Sequence, residues 1–271
     1  MERKLALLVE YQGTRYHGFQ IQNNADTVQA RLEAAVQQLV GVPVRVKGAS
    51  RTDTGVHALG QVACYTAASG HSPETVRNAL NYYLPEDIVV KEVREVGLDV
   101  DPRRNATSRW YRYSILHRAT PSPLTRHVSA LVKDGLDLDT MGDAAATLAG
   151  IHDLASFSGP LAEAEASTVR SVLHAGVTQK GDYIFFDMEA NAFLPQQMRR
   201  TVAVLLAIGR GQAPASRVKE LLERPVLGTA DQLAPAHGLC LMRIEYPEHK
   251  IAFTASTEGG YDTKLPAFAG R

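Results

Sequence analysis

The chain is poor in cysteine. Cys64 and Cys240 are the only two in 271 residues, and both lie in apolar, alternating runs. Two cysteines cannot build a disulfide framework, and buried thiols suit these positions better than a bond between them. No Cys/His spacing matches a zinc site. Long apolar runs are missing too. Leu5-Ala6-Leu7-Leu8-Val9 is too short for a membrane span or a signal-peptide core, and no small-residue cleavage site follows it. A reducing, cytoplasmic setting with no membrane contact is therefore expected. Neither charge sign is in excess, because 29 Lys and Arg balance 29 Asp and Glu. That weighs against a uniformly basic nucleic-acid binder. No glycine-rich phosphate loop is present.

What remains is an ordinary globular balance, 45% hydrophobic and 21% charged, over enough residues for two modest domains or one large one. Leu5 to Tyr11 reads as a strand. Asp26-Thr27 offers a helix cap, and Val28, Leu32, Val36 and Leu39 recur at helical spacing up to Gly41. Val42 to Lys47 and Gln61 to Thr66 alternate as strands. Ser72-Pro73 opens a helix that runs through Leu84. Asp87 to Val96 and Arg109 to Leu116 are further strands. Leu138 to Leu148 is helical, Thr168 to Gln179 and Asp182 to Ala190 form a strand pair, and Pro195 opens a helix through Ile208. Pro214 to Arg224 is a short amphipathic helix, and Gly238 to Tyr246 is a closing strand. This is an α+β pattern, with antiparallel strands and helices in each half. From His249 the periodicity fades, which predicts a flexible tail over 248–271.

The segment Gly48-Ala49-Ser50-Arg51-Thr52-Asp53-Thr54-Gly55-Val56-His57-Ala58 sets one carboxylate beside an arginine in a loop of small residues. Loops placed by a rigid scaffold tend to carry chemistry. Asp53 has three readings: a turn cap, half of an aspartic protease pair, or a nucleophile. The protease reading fails on context. Asp53-Thr54-Gly55 has no second copy, and Ser50-Arg51-Thr52 precedes it where an apolar strand belongs. Arg103 to Arg118 holds five arginines and no acid. That strip is either a solvated strand face or a groove for phosphates.

The Asp53 segment closely resembles the active-site signature of the tRNA pseudouridine synthase A family, and other family motifs follow in order. Tyr11-Gln12-Gly13-Thr14-Arg15-Tyr16-His17-Gly18-Phe19-Gln20 is similar to its opening motif. Arg103-Arg104-Asn105-Ala106 with Arg109-Trp110-Tyr111-Arg112-Tyr113 resembles its central strand. Gly150-Ile151-His152-Asp153-Leu154, Phe193-Leu194-Pro195-Gln196-Gln197-Met198-Arg199 and Ala234-Pro235-Ala236-His237-Gly238 resemble the rest. The resemblance covers about Leu5 to Pro247. The chain departs from the usual pattern at Gln12, Leu154, Arg200 and Ala203.

The resemblance implies two RRM-like halves with antiparallel sheets flanked by helices and an active-site cleft between them. An N-terminal half, 1–116, would carry the Asp53 loop, and a C-terminal half, 117–247, would carry Arg199. The implied reaction turns uridine into pseudouridine in the anticodon stem-loop of tRNA, at positions 38, 39 and 40 of tRNA numbering, without a cofactor. Asp53 would be the nucleophile, ionised in a closed pocket by Arg199. Arg200 is adjacent and a competing candidate for that pairing. Tyr111 would meet the target base, and its hydroxyl suits removal of the C5 proton. Tyr113 shares its alternation phase. Arg51 would enter the helix as the base is extruded or hold a phosphate. Arg103 and Arg109 would contact RNA. His57 reads as a structural loop residue rather than a base. A homodimer is implied. The alternative is a non-catalytic RNA-binding protein on the same scaffold, indifferent to loss of Asp53.

Overall fold

Thr27 and Ser72 start the first two helices as their side chains predict. The computed structural model describes residues 2–161 and 167–254, and all structural statements concern these. The Thr27 hydroxyl accepts the Ala30 amide, and α1 runs over Val28–Val40. It stops at Gly41, whose φ of 79° closes the last turn. Ser72 accepts the Thr75 amide, and Pro73 opens α2, Pro73–Tyr83. The later helices are α3 (Leu138–Ala146), α4 (Gln197–Gly209) and α5 (Arg217–Glu223). No described helix is long and apolar enough to cross a membrane.

The strands are β1 (Glu2–Tyr11), β2 (Lys47–Gly48), β3 (His57–Ala68), β4 (Ile88–Val96), β5 (Ser108–His117), β6 (Ala130–Val132), β7 (Gly150–Asp153), β8 (Val169–Lys180), β9 (Tyr183–Ala190) and β10 (Leu239–Glu245). They make one large mixed sheet in the order β4-β1-β3-β10-β5-β9-β8-β7, with β2 on β3 and β6 on β5. Helices α1 and α2 pack together at the β4 end, and α3, α4 and α5 cluster near β8. The fold is therefore α+β, as read from the pattern. The strand β10 is parallel to β3 and antiparallel to β5, and its Leu241 stands opposite both Ala58 and Tyr111.

Two expectations change. Val42 to Lys47 is not a strand; only Lys47–Gly48 pairs, with Cys64 and Ala63. Pro43 removes a backbone donor, and the Val46 backbone bonds to side chains of α1 instead: its amide to Glu33 and its carbonyl to Gln29. One sheet runs across residue 116, and β5 pairs with β6, β9 and β10. The start of the expected tail is packed. Ile251 and Phe253 are buried, and Lys250 pairs with Asp99 at 2.5 Å. The rest of that tail lies outside the described residues.

The arginine strip splits up once folded. Arg112 forms a buried bidentate pair with Asp187, at 2.8 and 2.9 Å, beneath the rings of Trp110 and Phe185. Arg118 pairs at 3.4 Å with Asp182 on the surface. Asp187→Ala leaves a buried guanidinium unpaired and is expected to cost about 3–5 kcal/mol. Urea denaturation measures it, and a loss below about 1 kcal/mol contradicts this account.

Candidate active site

The Asp53 loop is held from below by a run of buried polar groups. Gln61, wholly buried in β3, donates to the Ser50 carbonyl at 2.7 Å and accepts the Ser50 amide at 3.1 Å. The Tyr11 hydroxyl bonds Thr52 Oγ1 at 2.8 Å. Ser50 and Thr52, which lead into Asp53, are thus fixed to β3 and β1. The opening segment clasps the loop from one side. Gly13 and Gly18 lie so close that a Cβ would come within 1.9 Å of the Val56 oxygen and 2.5 Å of the Thr52 oxygen, respectively. Only glycine allows that approach.

His57 ties this clasp to the last motif. Its Nδ1 accepts the Gly13 amide at 2.9 Å, and Nε2–H donates to the His237 carbonyl at 3.1 Å. Burial pushes its pKa down; hydrogen bonds to the His237 and His127 carbonyls push the other way, and these neighbouring imidazoles lower it again. The folded ring is thus neutral below its ordinary value of 6.5. On acidification the unfolded chain takes up this proton first, so stability falls as pH drops from about 6.5 toward the folded-state pKa. Urea midpoints between about pH 5 and 8 are expected to fall less steeply for His57→Gln than for the parent. Parallel curves would refute this.

Asp53 opens into a cavity of about 410 Å³, also lined by Arg51, Arg103, Arg109, Tyr111 and Phe193. Arg199 lies 3.6 Å from its carboxylate. The expectation of a closed pocket is corrected here: the Asp53 side chain is 37% exposed, against 17% for Arg199. Two bonds to Ala234 aim the arginine. Nε donates to its carbonyl at 2.8 Å, and the Arg199 carbonyl accepts its amide at 3.1 Å. Arg200 turns away and donates to the Ala230 carbonyl and to Gln196. Gln196 is the one non-glycine residue with positive φ, 59°, among the described residues, and it stands just before α4 on the cavity wall.

Tyr111 is buried in β5. Its hydroxyl bonds Ser50 Oγ at 2.8 Å, and Phe193 meets its ring edge-on, with centroids 4.8 Å apart. Burial pushes the phenol up to about 12; the Ser50 bond works against this, and the Asp53 charge adds to it. The phenol is therefore protonated at neutral pH. Tyr113 has the predicted phase but not the predicted place. It is fully buried beneath Gly238, and its hydroxyl donates to the Pro235 carbonyl at 2.8 Å. Arg109 lines the cavity yet is only 7% exposed, with its guanidinium occupied by the carbonyls of Arg103, Ala106 and Asn191. It shapes the Arg103 turn. Arg51 and Arg103 are exposed and make no ion pair among the described residues. Sequence reasoning missed Ser50, Gln61 and Phe193. Gln61, a polar residue inside an apolar strand, was the one visible sign.

A carboxylate beside a guanidinium, with a buried phenol and two free cations at the same cavity, suits covalent chemistry on an anionic ligand that carries a planar ring. A family model described as tRNA pseudouridine synthase matches residues 7–103 and 144–247. A protein of Acetivibrio thermocellus named tRNA pseudouridine synthase A is 38% identical over 244 residues, covering 90% of this chain and 100% of its own length. Namesakes from Geobacter sp. (strain M21) and Pseudoalteromonas atlantica are 37% and 39% identical, covering 91% and 90% of this chain and 100% and 93% of their own. A chain in the crystal structure of a Cbf5-Nop10-Gar1 complex aligns at 11% identity and a TM-score of 0.30, over 75% of this chain and 54% of that one, too slight an overlap to bear on the fold. The chain belongs to the tRNA pseudouridine synthase family.

Proposed function

We propose that this chain isomerises uridine to pseudouridine in the anticodon stem-loop of tRNA, with Asp53 as nucleophile, Arg199 as its counter-ion and Tyr111 against the target base. The reaction class, a tRNA-directed isomerase, follows from the family. The approach of Arg199 to within 3.6 Å of Asp53, on the cavity that Tyr111 lines, carries the residue assignment. The N1–C1′ bond breaks as Asp53 bonds one fragment, the uracil turns, and C5 joins C1′; the bond to Asp53 breaks again and N1 takes up a proton. The C5 proton must then leave. Tyr111 lies beside this space, and Ser50 is the hydrogen-bond partner of its hydroxyl. The half-exposed carboxylate is consistent with a site that the extruded nucleotide itself closes.

The two-half description belongs to the same proposal. The family model matches two separate stretches, the first holding Asp53 and the second Arg199. Exposed Ile151, Val169 and Leu173 on β7 and β8 offer a second copy an apolar surface, consistent with a cytoplasmic homodimer. The test is to incubate pure protein with an unmodified tRNA transcript and map pseudouridine. Product is expected at one or more of positions 38, 39 and 40. Product elsewhere refutes the site assignment on tRNA, and no product refutes the function.

A further inference from the structure

A second cavity, of about 310 Å³, adjoins the first and shares Ser50, Arg51 and Arg103 with it. Its lining adds two more cations, Arg45 and Lys47, and no acidic side chain. Arg45 reaches Glu33 only at 3.4 Å and Lys47 pairs with Asp101 at 2.5 Å, both with more than half of their side chains exposed. Asp101 also accepts the amides of Arg103 and Arg104, so one carboxylate fixes the turn that presents Arg103.

The floor offers little for reading a base. Phe19 and Val46 are buried, with the Phe19 ring against Gly48. Gln29 is the buried polar group there, and its amide is fully engaged. Its nitrogen donates to Glu33 and to the Val46 carbonyl, and its oxygen accepts the Ile21 amide. Ser50 is engaged with Gln61 and Tyr111. Besides the exposed Gln20, the cations are the groups left to act, and they attract phosphate whatever the base.

We propose that this second cavity binds the nucleotide next to the target in the RNA strand, through its phosphate groups and without regard to its base. The linking phosphate sits between Arg51 and Arg103, on the wall common to both cavities, and the next one meets Arg45 and Lys47. This rests on the function proposed above.

The test compares the parent with an Arg45→Gln/Lys47→Gln double variant, measuring tRNA affinity against salt and the rate at saturating tRNA. The slope of log affinity on log salt is expected to shrink by about 0.7–0.9, the contribution of the one phosphate that Arg45 and Lys47 share. Affinity at low salt is expected to fall about tenfold or more, with the saturated rate within about threefold. Glu33→Gln, which relieves Arg45 of its acidic neighbour, is expected to tighten binding about twofold at low salt. Changing the bases that flank the target uridine is expected to leave kcat/KM within about threefold. An unchanged slope in the double variant overturns the proposal, and so does a strong dependence on the flanking base. If the parent binds tRNA but makes no pseudouridine, the functional reading alone fails, and the salt slope still decides the cavity.

Discussion

Asp53→Asn abolishes pseudouridine formation, with a loss of at least about 10⁴-fold in single-turnover rate, while tRNA affinity stays within about threefold. Asparagine keeps the shape of the side chain but has no anionic oxygen to attack with. The rest of the site does not depend on that charge. Ser50 and Thr52 are fixed by Gln61 and Tyr11, so the loop has no reason to move when Asp53 is neutralised. The measurement is pseudouridine mapping on a tRNA transcript, paired with a binding titration. A variant within about tenfold of the parent rate would exclude Asp53 as nucleophile. Equal tRNA binding by parent and variant, with no pseudouridine made by either, would favour a non-catalytic binding protein on the same scaffold.

Arg199→Met has the second largest effect, a fall of about 100-fold concentrated in kcat. Methionine fills much of the same space without charge, so it removes the guanidinium 3.6 Å from Asp53. The control is the neighbouring residue. Arg200→Met is expected to keep the rate within a few-fold and to lose about 1–3 kcal/mol of stability, because the Ala230 carbonyl and Gln196 lose their donor. Steady-state kinetics on both proteins separates the roles. A larger rate loss at Arg200 than at Arg199 would reverse the assignment.

That contrast shows what could be read beforehand. Successive helix positions point about 100° apart. The motif named the pair of arginines and the order of their roles, but only the fold shows Arg200 turned toward 228–230. Helices α1 and α2 were legible to within a residue or two because caps, Pro73 and Gly41 act locally. Alternation placed Tyr111 and Tyr113 on one face of β5, yet it carries no information about what covers that face. The Gly238 segment covers Tyr113, and only Tyr111 reaches the cavity. Arg109 was expected on RNA because it is cationic, and three backbone carbonyls use that charge first. Strand order was beyond local pattern altogether. Nothing near Leu239 predicts a place between β3 and β5.

That place also governs when reactivity can appear. The strand over Leu239–Glu245 is nearly the last part of the described chain to leave a ribosome, and it alone bridges His57–Ala58 to the Arg112–Tyr111 segment. Pairings so distant in the chain close late. Until then Arg199 has no Ala234 to steer it and His57 has no carbonyl at 237 to hold. On the proposed function, a nascent polypeptide already bearing the aspartate, the arginine and the tyrosine still lacks the contacts that aim them until Leu239–Glu245 is in place.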